Sequence, residues 1–236
     1  MDCETILTYL KSQANPEAVA GMARYGIRPK RPPLGVSIPT LRRLAKQAGK
    51  DHKLAGQLWA SGIHEARVLA SMVEDPDRVT EAQLERWVQA LDSWDLCDQC
   101  CSNLFDKTQF APRKAMEWSE RSAEFVKRAG FSLMACLAVH DKKAEDGVFE
   151  RFLDDVEREA DDGRNFVKKA VNWALRQIGK RNARLNKSAM ACAQRLTERP
   201  SMAARRIARD ALRELSSAVV QVRLRRGSAG SGRVLW

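Results

Sequence analysis

Phe125-Val126-Lys127-Arg128-Ala129 returns as Phe166-Val167-Lys168-Lys169-Ala170, offset by 41 residues. Further on, Ala174-Leu175-Arg176-Gln177-Ile178 returns as Ala211-Leu212-Arg213-Glu214-Leu215, offset by 37. Arg67-Val68-Leu69-Ala70-Ser71-Met72 is a weaker echo of the same basic, amphipathic pattern. A period of about 40 residues is the length of two helices and their turns. No such pair can bury its apolar face alone, so neighbouring pairs must stack and share one continuous core.

The helical period holds along the rest of the chain. Leu58, Trp59, Ile63, Leu69 and Val73, and then Leu84, Val88 and Leu91, recur at the three- and four-residue spacing of amphipathic helices. Phe131, Leu133, Met134 and Leu137 fit a buried helix, and Trp59, Trp87 and Trp118 fall at apolar helical positions suited to packing. Asn15-Pro16-Glu17 and Ser37 before Pro39 carry the polar cap and early proline of helix starts. Strand-like alternation is confined to Val219-Val220-Gln221-Val222, where the preceding helix is expected to continue. The fold class expected is therefore all-α, a HEAT-like helical-repeat solenoid. It should be curved, with one row of helices lining a concave basic face.

Residues 1–224 read as a single domain of this kind. Residues 225–236, rich in Gly and Ser after Arg225-Arg226, read as a flexible tail. Pro29, Pro32 and Pro33 stiffen a basic loop over 26–36. Lys and Arg number 41 against 30 Asp and Glu, for a net charge of +11, a field that attracts polyanions, nucleic acid first. No apolar run is long enough to span a membrane, and the acidic start Met1-Asp2-Cys3-Glu4 is unlike a signal peptide, so the location expected is cytoplasmic. Six cysteines read as reduced thiols. Cys97, Cys100 and Cys101 lack a fourth ligand for a closed zinc site and read as small buried hydrophobes.

The candidate chemistry centres on Asp92-Ser93-Trp94-Asp95-Leu96-Cys97-Asp98. On a helix Trp94 and Asp98 are one turn apart and share a face. An unpartnered carboxylate among Leu96, Cys97, Cys100 and Cys101 is costly, so Asp98 requires either a structural cation or a functional role. In the repeat register Lys169 matches Arg128, Trp173 lies one turn past Lys169, and Asp98 falls in the preceding pair. Trp94, Asp98, Arg128, Lys169 and Trp173 are thus expected on neighbouring rows of one surface. Glu65 and Arg67 flank a helix start and read as solvated or surface-paired. His140-Asp141 reads as a polar helix end.

These residues resemble the AlkD-type family of DNA alkylation repair glycosylases. The resemblance spans about residues 15 to 215 and rests on five segments in order: Met22-Ala23-Arg24-Tyr25; Leu34-Gly35-Val36 with Pro39 and Arg42; Ser93-Trp94-Asp95 with Asp98; Lys127-Arg128-Ala129; and Lys169-Ala170 with Trp173-Ala174-Leu175-Arg176. It implies excision of positively charged N3- and N7-alkylated purines from duplex DNA by an enzyme that needs no cofactor and no metal; a monomer is expected because solenoids of this size are commonly monomeric. By motif position it implies Asp98 as the catalytic carboxylate, Trp94 and Trp173 as aromatic sugar contacts, and Arg128 as a phosphate contact. Lys169, Ser37, Arg42 and Tyr25 are the further DNA contacts expected. The chain departs from the family at Ile38, where a polar residue is usual before the helix-start proline, and at Ser93, where some relatives carry an aromatic. Two readings without chemistry use the same features: a DNA-structure-binding module and a protein–protein adaptor.

Overall fold

The computed structural model describes the backbone of residues 1–230 and the side chains of residues 1–226. Helices dominate it: α1 (Cys3–Ser12), α2 (Pro16–Arg24), α3 (Ile38–Ala48), α4 (His52–Ala60), α5 (His64–Val73), α6 (Glu81–Gln89) and α7 (Trp94–Asn103). There follow α8 (Ala111–Ser119), α9 (Glu124–His140), α10 (Asp146–Glu159), α11 (Asn165–Gly179), α12 (Ala183–Thr197), α13 (Met202–Leu215) and α14 (Ala218–Gly230). The starts at Asn15 and Ser37 lie where the sequence placed them, each cap oxygen accepting the N–H three residues on. No described helix is long and apolar enough to cross a membrane.

Contacts group the helices into two compact units, Met1–Phe110 and Ala111 onward. Residues 1–224 are expected as one domain, and no shift in composition marks this junction in the sequence.

In the second unit the repeat prediction becomes visible packing. Helices pair as α8 with α9, α10 with α11, and α12 with α13, while α8, α10 and α12 form one row and α9, α11 and α13 another. Polar bridges between successive pairs recur 38 residues apart: Asn172 Nδ2 donates to Asp210 (3.2 Å), Arg176 to Glu214 (2.5 Å) and Arg195 to Glu157 (2.5 Å). The echoing Phe125 and Phe166 rings touch, with centroids 5.7 Å apart. Trp118, Phe131, Phe149 and Phe152 are fully buried. At Gly130 the backbones of α8 and α9 come so close that an added Cβ would lie 2.5 Å from the Ser119 nitrogen.

One detail of the chain end corrects the sequence reading. The helix over 202–215 does not continue through Val219–Val222. It stops at Leu215, and α14 starts afresh with Ser217 Oγ accepting the Val220 N–H (3.4 Å). Backbone helix also runs over 225–230, the start of the stretch read as a tail; the rest of that stretch, 231–236, lies outside the described residues.

In the first unit α5 packs against α3, α4 and α7, with α1 against α4 and α5. The Trp59 and Trp87 indoles stack face to face, centroids 4.0 Å apart and planes 2° from parallel. Arg67 sits over the Trp59 ring at 5.4 Å. All three tryptophans read as packing residues are buried, Trp118 completely.

Candidate functional site

Trp94 opens α7 and Asp98 follows one helical turn later, so both side chains leave the same face. Both line a recess of 390 Å³ in the first unit, together with Met22, Ile27, Val36, Ile38, Leu41 and Val68. Apolar lining lowers the local dielectric and strengthens any charge interaction made there. The Trp94 indole is half-buried and fixed by its Nε1–H, which donates to the Tyr25 carbonyl (3.1 Å). Tyr25 contributes backbone to this bond and leaves its side chain 77% exposed. Ser37 also lines the recess, with its Oγ capping α3 through the Thr40 N–H (3.4 Å). Arg42, in the first turns of α3, is exposed.

Three further titratable residues line this recess, and none was given a role there from the sequence: His64, Glu65 and Asp95. Glu65 was read as a surface residue. It is only 2% exposed, and its carboxylate accepts the Gly35 N–H at 2.7 Å. Gly35 has φ +81°, and an added Cβ would lie 2.4 Å from the Asn15 carbonyl, so glycine is required where the loop turns into this bond. The second Glu65 oxygen is buried with no hydrogen-bond partner. His64 Nε2 lies 2.8 Å from Asp95 Oδ2. Burial pulls the His64 imidazolium toward the neutral form, but the bond to Asp95 and the charges of Asp95, Glu65 and Asp92 outweigh it and raise its pKa. Burial likewise pushes Asp95 up, and the His64 hydrogen bond and charge pull it below the usual carboxylate range. Both shifts favour the ionised pair, with His64 buried and Asp95 partly so.

The signal that would have found them is spacing. Gly35 to Glu65 and Arg31 to Ser61 are each 30 residues apart, and His64 to Asp95 is 31. These contacts thus join residues about 30 apart, closer than the 41- and 37-residue echoes.

Arg128, Lys169 and Trp173 belong to the second unit. Arg128 is 5% exposed, and its guanidinium donates to the Phe166 carbonyl at 2.6 Å, clasping α9 to α11. Lys169 is exposed, and Trp173 is half-buried one turn later on α11. Lys127, beside Arg128, is buried and ion-paired with Glu159.

Comparison with known proteins agrees with this architecture. A structure described as representing "a new family of proteins related to the HEAT-like repeat DNA glycosylases with affinity for branched DNA structures" superposes with a TM-score of 0.76. It is 19% identical and covers 95% of this chain and 96% of its own, a likeness that establishes the HEAT-like fold. A designed armadillo repeat protein in complex with a (KR)4 peptide has a TM-score of 0.36 at 15% identity, covering 81% of each chain. No curated protein matches. The family model described as DNA alkylation repair enzyme matches residues 6–215, nearly the whole described chain. The chain therefore belongs to the DNA alkylation repair enzyme family.

Proposed function

We propose that the protein is a DNA glycosylase that excises cationic N3- and N7-alkylated purines from duplex DNA, with Asp98 as the catalytic carboxylate. The observation that carries this reading is the shared recess of Trp94 and Asp98, an indole and a carboxylate one turn apart in largely apolar surroundings. A 3- or 7-alkylpurine already bears positive charge, so the C1′–N bond can break with its electron pair leaving on the base, and no general acid is needed. Charge then develops on the sugar as an oxocarbenium-like centre. A preorganised carboxylate in low dielectric stabilises that centre, and an indole face adds cation–π attraction. Water attacks C1′, its proton passing to the carboxylate or to solvent, and the products are the free purine and an abasic sugar. By motif position Trp173 takes the second sugar contact, and Lys169, Ser37, Arg42 and Tyr25 take the backbone, joined by Arg128 once its guanidinium leaves the Phe166 carbonyl. A net charge of +11 favours the polyanion.

The test is release of 7-methylguanine or 3-methyladenine from methylated duplex DNA. Wild type should exceed the spontaneous rate, and Asp98→Asn should lose roughly 10²–10³-fold in rate, as removal of a group aimed at transition-state charge does, with DNA affinity little changed. No release by wild type, or equal release by Asp98→Asn, would sink the assignment.

A second reading, DNA-structure binding without excision, is favoured by one observation. The Arg128 guanidinium is spent on the Phe166 carbonyl and is nearly inaccessible. The solved relative's family, described as having affinity for branched DNA structures, fits that reading. It predicts tighter binding to branched than to linear duplex, with neither dependent on Asp98.

A further inference from the structure

The stiff loop over 26–36 lines the Asp98 recess with Ile27, Gly35 and Val36, while its basic residues close a second recess of the first unit. Pro29, Lys30 and Arg31 line a recess of 240 Å³ with Gly62, His64, Arg67 and Asp92. Three of these side chains are permanent cations, against the single carboxylate of Asp92. Arg31 is pinned in place: its Nη1 donates to the Ser61 carbonyl (3.0 Å), and its guanidinium lies so close to Gly62 that an added Cβ there would sit 2.6 Å from Nη1. Lys30 is anchored through its backbone, whose N–H donates to Asp92 Oδ2 at 2.9 Å, so its ammonium is left out of that bond.

The recess also meets the start of α5. The residue before that helix, Ile63, has no side-chain acceptor to cap it, so the first-turn N–H groups have no side-chain partner and present partial positive charge. His64, the first residue of the helix and 3% exposed, lines the recess and has a buried Nδ1 without a hydrogen-bond partner. A basic loop, an uncapped helix start and an arginine held against backbone favour an oxyanion over the one opposing group, the Asp92 carboxylate, whose Oδ1 is also buried without a partner; the protonated His64 ring adds an Nδ1–H donor.

We propose that this recess is a phosphate site that takes a phosphomonoester group. Three cations against one carboxylate leave two positive charges. A phosphomonoester carries about −1.5 to −2 at neutral pH, and a mid-strand diester carries about half of that. The group can come from the end of a nucleic-acid strand or from a small free phosphate, and the chemistry of recognition is the same. The site shares His64 with the Asp98 recess but does not use Asp98 or Trp94.

Amide NMR of the full chain tests the assignment, with inorganic phosphate titrated against chloride at matched ionic strength. Saturable shifts are expected at the amides of Gly62, His64 and Glu65. Lys30→Gln with Arg31→Gln should weaken phosphate roughly tenfold or more, as loss of charge-assisted hydrogen bonds does. Lys187→Gln, an exposed lysine of α12 in the other unit, should bind phosphate like wild type. Displacement of phosphate by a 5′-phosphorylated oligonucleotide, but not by its 5′-hydroxyl counterpart, identifies a strand end as the source. Displacement by neither identifies a small phosphate compound, and both outcomes keep the site. Shifts that follow ionic strength alone, or a double variant that binds as wild type does, overturn it.

Discussion

Replacing Glu65 with alanine tests the least expected contact of the recess. The wild-type carboxylate is 2% exposed and holds the Gly35 N–H at 2.7 Å across 30 residues of chain. A hydrogen bond to a charged acceptor contributes about 1.5–3 kcal/mol, and its loss leaves the buried Gly35 donor unsatisfied. Removing a carboxylate whose other oxygen has no partner relieves part of that cost. The net expectation for Glu65→Ala is a loss of about 2 kcal/mol, or a Tm lowered by about 4–8 °C for a chain of this size. Glu65→Gln keeps an acceptor for Gly35 and should lose about 1 kcal/mol or less. Urea denaturation gives the free energies, and hydrogen exchange at the Gly35 amide reports the bond itself. Equal stability of Glu65→Ala and Glu65→Gln, with unchanged exchange at Gly35, would refute the reasoning.

Gly130→Ala should destabilise the second unit by about 1–3 kcal/mol by forcing α8 and α9 apart; a change within about 0.5 kcal/mol in urea denaturation would contradict the close crossing. The His64–Asp95 pair should make stability depend on pH in two places. His64 has a raised pKa, so its contribution is full below its unfolded value of about 6.5 and fades as pH climbs through the higher folded value. Asp95 has a lowered pKa, so its contribution is full above about 3.9 and fades as pH drops through the lower folded value. His64→Asn should flatten both limbs of a Tm-versus-pH curve, and an unchanged curve would refute the pair. Burial pushes the Cys192 thiol up to about 12, and the three cysteines of α7 are fully buried. A thiol reagent at neutral pH should therefore label at most Cys3 in the native protein and all six cysteines after denaturation; fast labelling of Cys192 in the native state would refute this.

The helices and their pairing were legible because they repeat: apolar spacing, caps at Asn15 and Ser37, and the echo of Phe125 in Phe166 are all local patterns. Trp94 and Asp98 were legible for the same reason, being one turn apart on one helix. Glu65 was not, because a charged residue in a first helical turn is normally solvated. Only its distant partner, the backbone of Gly35, explains its burial. The fate of Arg128 was equally hidden, since its acceptor is a carbonyl, a group present at every residue. The restart of α14 was signalled by Ser216-Ser217, whose capping hydroxyl was outweighed by the apolar run after it.

The bridges between successive helix pairs of the second unit bear on how such a chain can change in length. Arg195–Glu157 and Arg199–Asp161 tie one row, Asn172–Asp210 and Arg176–Glu214 tie the other, and these four links each span 38 residues. A tandem duplication of one 38-residue block would carry both halves of each link into register and arrive with its fasteners in place. An insertion of any other length within a helix pair would offset cation from carboxylate along both rows at once. Growth by whole modules is therefore the path of least resistance for this half of the molecule, with shorter insertions confined to the turns.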